Sequence, residues 1–150
     1  MPDTAATETD ARRIAEAVGA ALYARDHAIH GLGIELAEIR PGFARMTMIV
    51  RPDMLNSHEI CHGGFTFALA DTAFAYACNS YNQVTVAAGC DIVYPSAGRL
   101  GDRLTAVAEE RHRYGRSGVY DVAVSNQTGE VVALFRGRCR RIAGAVVSEL

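Results

Sequence analysis

Lysine is missing from this chain: its fifteen positive side chains are all arginine. Schiff-base chemistry and any other reaction built on a side-chain amine are therefore excluded. Cysteine is scattered at Cys61, Cys78, Cys90 and Cys139 with no Cys-x-x-Cys, which suits reduced thiols in a reducing compartment and gives a zinc knuckle no framework. No G-x-S-x-G elbow offers a serine nucleophile. The opening residues Met1-Pro2-Asp3-Thr4-Ala5-Ala6-Thr7-Glu8 have neither the basic start nor the apolar core of a secretory leader, so a cytoplasmic protein is expected. A formal net charge of -2 supplies no basic field for nucleic acid. Neither internal repeats nor low-complexity tracts interrupt the 150 residues, a length that reads as one domain able to bury about two-thirds of its unfolded surface.

What is present is concentrated in one stretch. From Phe65 to Cys78 the chain reads FTFALADTAFAYAC, where only Thr66, Asp71 and Thr72 carry strongly polar side chains. A helix with no solvated face must be wrapped by other structure. At 1.5 Å per residue it is about 21 Å long, too short for a bilayer, and an acid in its middle weighs further against a membrane. An ionised carboxylate in apolar surroundings is unfavourable unless paired, and desolvation drives its pKa up toward the range of a general base. Asp71 is the leading catalytic candidate on this ground. The competing reading has Asp71 bonded to a backbone group or reaching a wet edge.

The flanking sequence supplies the wrapping. Thr9 to Ala28 places Ile14, Val18, Ala21 and Leu22 at helical spacing and predicts an amphipathic N-terminal helix. After Gly31 and Gly33, Ile34 to Ile39 and Phe43 to Val50 read as a hairpin turned by Arg40-Pro41-Gly42. Arg51 to His62 has no sustained period and reads as a loop that delivers the chain to the central helix at Gly63 or Gly64. Val84 to Tyr94, Arg103 to Arg113, Ser117 to Asn126 and Glu130 to Ile142 are strand-like, the last three forming a meander. The class is α+β, with a helical arm over 1–30, a core over 31–142 and a tail over 143–150. The simplest arrangement is a strongly curved sheet around the apolar helix.

Gly63 and Gly64 open that helix, where backbone N–H groups lack intrahelical partners and the dipole is positive, a natural oxyanion hole. The alternative is a Gly pair that only turns the chain. Gly63 and Asp71 are eight residues apart, hence about 12 Å apart along one helix and roughly 80° around it. One chain cannot bring both to a single carbonyl carbon. A two-fold dimer with antiparallel central helices can, each helix giving Gly63 to one site and Asp71 to the other.

Asn56 and His62 complete the polar set as groups able to orient substrate or water, or to satisfy the loop and cap the helix. Zinc held by His58, Cys61 and His62 lacks an evident fourth ligand, so no metal is expected. Arg111, Arg113 and Arg116 cluster around Tyr114-Gly115, and Arg136, Arg138 and Arg140 alternate on one strand face. Either set suits phosphates or simple solvation.

The run MLNSHEICHGGFTFALADTAFAYACNS at Met54 to Ser80, with Gly118-Val119-Tyr120-Asp121 and Ala133-Leu134-Phe135-Arg136-Gly137, is similar to the hot-dog-fold acyl-CoA thioesterases, and most of all to the PaaI-type subfamily of phenylacetate degradation. The resemblance spans about Leu32 to Ile142. It implies a curved antiparallel sheet around a long helix, an obligate homodimer, commonly a homotetramer, and metal-free hydrolysis of phenylacetyl-type or other aryl-CoA thioesters. Coenzyme A then enters as part of the substrate and no separate cofactor is needed. Carried over by motif, Asp71 is nucleophile or general base, Gly63 the oxyanion N–H, Asn56 a positioner of water or thioester, and His62 a neighbour that orients the loop. Gly64, Phe67, Thr85, Arg113, Arg116 and Ser117 are the expected substrate and CoA contacts. The sequence departs from the family in carrying Tyr94-Pro95 where relatives often have Arg-Pro, and Gly89 where several have a hydroxyl residue. A non-catalytic acyl-CoA binding module and an enoyl-CoA hydratase using His62 with Asp71 are the competing functions.

Overall fold

In the computed structural model, which describes residues 4–150, Asp26 divides the N-terminal helical stretch into α1 (Thr4–Arg25) and α2 (His27–Leu32). Residues 1–3, part of the stretch read above for a leader, lie outside the described residues. The single helix expected over Thr9 to Ala28 is thus corrected. The Asp26 carboxylate accepts from the Ile29 N–H at 3.5 Å, an N-cap that ends one helix and starts the next. The helical arm consequently runs to Leu32, past the boundary drawn at residue 30, and Gly33 closes it in the left-handed conformation at φ 67°.

Six strands follow: β1 (Glu35–Arg40), β2 (Phe43–Ile49), β3 (Thr85–Val93), β4 (Arg103–Tyr114), β5 (Ser117–Ser125) and β6 (Val131–Arg141), with α3 (Gly63–Asn79) between β2 and β3. They form one antiparallel sheet in the order β1-β2-β4-β5-β6-β3. The hairpin and the β4-β5-β6 meander stand where the turn residues place them. β3 crosses to the far edge, beside β6, pairing Ile92 with Phe135 and Val93 with Leu134.

Alternation along the strands gives the sheet a buried and an open face. Ala106 and Ala108 of β4, Tyr120, Val122 and Val124 of β5, and Ala133 and Phe135 of β6 are buried with Leu69, Ala73, Phe74 and Tyr76 of α3. Phe74 packs edge-on to Tyr120 and tilted on Phe135, with centroids 5.8 and 5.6 Å away.

The wrapping is incomplete in a specific place. Gly64, Phe67, Ala68, Asp71, Thr72 and Ala75 stay partly or fully open to solvent. Their three- and four-residue spacing makes them one stripe along α3.

Sheet and helix are in tight contact at Gly137, where a Cβ would lie 2.6 Å from the Phe74 ring. Gly137→Ala should destabilise the protein by about 1–3 kcal/mol, as overpacking does in a filled core, read from chemical denaturation.

Candidate active site

The loop before α3 is pinned at several points. A 3₁₀ turn at Pro52–Met54 buries Met54, and an antiparallel bridge joins Leu55 to Cys61. The Cys61 N–H donates to the Gly98 carbonyl and the His62 N–H to the Met54 carbonyl, both at 2.8 Å. Asn56 holds the tip: its Oδ1 accepts from the N–H groups of His58 at 2.9 Å and Ile60 at 3.3 Å. That leaves the Asn56 Nδ2 amide as the group able to serve a ligand.

His62 is the N-cap of α3, extended at φ -60°, ψ 130°, with Nδ1 accepting from the Gly64 N–H at 3.4 Å. With that nitrogen so engaged, His62 acts in the structure as a cap. The Gly63 N–H, by contrast, has no acceptor among the described residues, while the Gly63 carbonyl accepts from the Tyr94 hydroxyl at 3.0 Å. A helix N-terminus therefore presents one unspent donor at a residue without a side chain of its own. Cys61 is buried against the Thr66 hydroxyl, and burial pushes its thiol up, the reverse of an activated nucleophile.

Asp71 lies two turns along α3 on the open stripe. Among the described residues it has no hydrogen-bond or ion-pair partner, and desolvation alone raises its pKa above the ordinary carboxylate range. The competing reading holds in one half: Asp71 makes no backbone hydrogen bond among the described residues, but it does reach a partly exposed, wet edge of the helix. Phe67, one turn before it, stands edge-on to Phe135 with centroids 5.6 Å apart and forms an aromatic wall beside the carboxylate. Within one chain the helix geometry keeps Gly63 and Asp71 about 12 Å apart along the axis, so the two chemical groups do not meet.

The remaining expected contacts gather elsewhere. Thr85, Arg113, Arg116 and Ser117 line one cavity of about 160 Å³ with Tyr81, Cys78 and Arg141, at the C-terminal end of α3. Arg113 is already engaged: its guanidinium lies 3.7 Å over the Tyr81 ring and 3.3 Å from Glu110. The Thr85 hydroxyl donates to the Gln83 carbonyl at 2.8 Å. Arg116 enters no ion pair among the described residues, and Arg141 beside it bonds only the neutral Gln83 side chain, at 3.1 Å. Arg141 and Tyr94 are site neighbours that sequence reasoning missed. Tyr94 reaches from beyond the end of β3 to the start of α3, and Arg141 from the end of β6 to Gln83 before β3, contacts far apart in sequence that no local pattern signals.

The Thioesterase superfamily matches residues 58–133, from the loop tip through α3 and into β6. The chain belongs to this superfamily. It is 48% identical to the acyl-coenzyme A thioesterase PaaI of Escherichia coli over 129 residues, 86% of this chain and 92% of that protein. The solved structure of E. coli PaaI, from the phenylacetic acid degradation operon, matches with a TM-score of 0.88 at 46% identity, covering 89% of this chain and 97% of that one. A thioesterase protein of Streptococcus pneumoniae, solved with coenzyme A, matches with a TM-score of 0.72 at 28% identity over 75% of this chain and 90% of its own. The six-stranded sheet and α3 are thus the hot-dog fold of the superfamily.

An acid whose pKa is raised on folding holds its proton more tightly in the native state. Its contribution to stability is complete below the ordinary Asp range near pH 4 and is lost as pH rises through the folded pKa. Asp71→Asn should accordingly raise the thermal midpoint at neutral pH, and the difference should vanish as the pH falls below about 4, measured by calorimetry across pH.

Proposed function

We propose that the protein hydrolyses acyl-CoA thioesters to a carboxylic acid and free coenzyme A, with phenylacetyl-type and other aryl-CoA thioesters as its substrates. The observation that carries this reading is Asp71, a partly desolvated carboxylate without a partner among the described residues, on the open stripe of an otherwise apolar helix. Such a group is unfavourable for stability and suited to removing a proton near neutral pH. Phe67 beside it offers an aryl group an edge or face to pack on.

Two protomers make the site. The open stripe on α3 and the exposed edge of β3, where Val86 is 44% and Val93 59% exposed, are surfaces a second copy would cover. With the two α3 helices antiparallel, Asp71 of one protomer faces the partner's Gly63. Asp71 takes a proton from water as the water oxygen attacks the thioester carbonyl, or attacks the carbonyl itself to give a mixed anhydride that water then opens. In both routes the negative charge grows on the carbonyl oxygen beside the Gly63 N–H, the C–S bond breaks, and the CoA sulfur leaves. The Asn56 Nδ2 amide holds water or thioester in place, and neither metal nor separate cofactor takes part. Dimers pair further through the outer sheet face, where Val107, Ala123, Leu134 and Val93 form one apolar row across four strands. Free thiols at Cys61, Cys78, Cys90 and Cys139 suit action in the cytoplasm.

The nucleotide end of the substrate falls to the arginine-lined cavity, where Arg116 is a cation without an ion pair among the described residues and Ser117, Thr85 and Arg113 are supporting contacts; Gly64, at the other end of α3, belongs instead with the acyl end. Arg116→Ala should raise KM for a CoA thioester about tenfold with kcat unchanged, and leave the matching pantetheine thioester, which lacks the nucleotide, unaffected. Asp71→Asn should lower kcat by about 10²–10⁴ with the dimer intact, read by thiol release from a panel of aryl and aliphatic CoA thioesters. Near-normal turnover would remove the assignment. Bound ligand without thiol release from any panel member, in the unmodified protein, would make it a binding module instead.

A further inference from the structure

Tyr94 reaches the start of α3 from the end of β3, and the hydrolysis proposed above gives it no role. It follows Val93, the last residue of β3, and precedes Pro95, whose ring holds the preceding residue in extended backbone. Two residues on, the Ser96 hydroxyl donates to the Val131 carbonyl at 2.7 Å and ties the segment to the start of β6. Anchored on both sides, Tyr94 donates its hydroxyl to the Gly63 carbonyl at 3.0 Å. Its ring fills the space that a side chain at position 63 would take, since a Cβ there would lie 3.1 Å from Tyr94 Cζ and 3.2 Å from Oη. The tyrosine is 47% exposed, so this contact belongs to the rim of the cleft and adds little to the core. Partial burial pushes the phenol above its ordinary range, which keeps it protonated and donating across neutral pH.

Gly63 needs such a partner. It is the first residue of α3, its N–H has no acceptor among the described residues, and without a side chain it has no packing of its own to fix its backbone. Its carbonyl lies in the peptide plane shared with the Gly64 N–H, which His62 caps at 3.4 Å. Tyr94 and His62 thus grip the two ends of one peptide unit. The geometry points to Tyr94 as a positioning residue: by holding the Gly63 carbonyl it fixes the peptide plane on one side of the Gly63 Cα, which restricts the rotation of a residue with no side chain and so, through that Cα, the direction of the Gly63 N–H in the adjoining peptide unit. This role rests on the hydrolase reading and deepens it. A donor aimed before the reaction needs no reorganisation when charge appears, and a loosely held one does. The effect reaches the thioester only through Gly63.

Tyr94→Phe keeps the ring and deletes the donor alone. Thiol release from aryl-CoA and short aliphatic CoA thioesters should show kcat about fivefold to tenfold lower at unchanged KM, by the same factor for both acyl classes, as expected for one lost hydrogen bond. The ¹⁵N amide resonances of Gly63 and Gly64 should shift in the same variant while the thermal midpoint stays put. A wild-type kcat, an effect confined to KM, or unmoved amide resonances would each overturn the role of Tyr94. Failure of the unmodified protein to release thiol from any thioester is a separate result: it removes the hydrolase reading and this role with it.

Discussion

The inner face of the sheet hides α3 from water on every side but the stripe that carries Asp71, and most other features answer to that arrangement. Leu69, Phe74 and Tyr76 are each no more than 2% exposed, and burial of side chains of this size stabilises a fold by about 1.5–3 kcal/mol apiece. Gly137 is small because Phe74 occupies the place of its side chain. The stripe is the exception: a carboxylate placed there is desolvated enough to hold its proton longer, yet open enough for the proposed role in hydrolysis. Complete enclosure by one chain would have left Asp71 either neutral and inert or in need of a paired cation.

The buried tyrosines follow the same logic of satisfying what cannot reach water. Tyr81 and Tyr120 both donate to Glu110, at 2.9 and 2.8 Å, and Arg113 lies beside the same carboxylate. That network uses up Arg113 and leaves Arg116 free at the adjoining turn. On the outer sheet face Asp121 takes Arg136 through two contacts at 2.6 and 2.8 Å and Arg111 at 2.9 Å. These pairs are exposed and add little stability; together with the ion pairs of Arg12, Arg13, Arg40, Arg45, Arg51, Arg113 and Arg138 among the described residues, they engage nine of the fifteen arginines, which are then less available for phosphates. Lysine's absence therefore does not make the surface a uniform anion trap.

Much of this is legible in the sequence where the physics is local. Arg40-Pro41-Gly42, Tyr114-Gly115-Arg116 and Gln127-Thr128-Gly129 punctuate the chain, and Gly42, Gly115 and Gly129 do turn with positive φ. The start of α3 is marked by His62-Gly63-Gly64, and Asp71 stands out because it is the one acidic or basic side chain on that helix. What stays hidden is nonlocal or competitive. The place of β3 beside β6 depends on which edge remains free once α3 has crossed the sheet, and Tyr94 meets Gly63 across 31 residues. Asp26 lies inside an uninterrupted helical pattern, and only its side chain's competition for the Ile29 N–H reveals the break.

The central claim is that each active site combines Asp71 of one protomer with Gly63 of its partner, and mixing two disabled variants tests it most directly. Asp71→Asn removes the acid, and Gly63→Pro removes the N–H at a helix position whose backbone suits proline, after an extended His62; the Tyr94 ring it displaces, 3.1 Å from the new Cβ, belongs to the site already disabled. Each homodimer is then inactive. Unfolding and refolding the two together in equal amounts gives mixed dimers in which one of the two sites is whole. The account predicts recovery of about one quarter of wild-type thiol release, since about half the dimers are mixed and each carries one good site. A mixture that stays at the sum of its inactive parts, with mixed dimers demonstrably present, would contradict it.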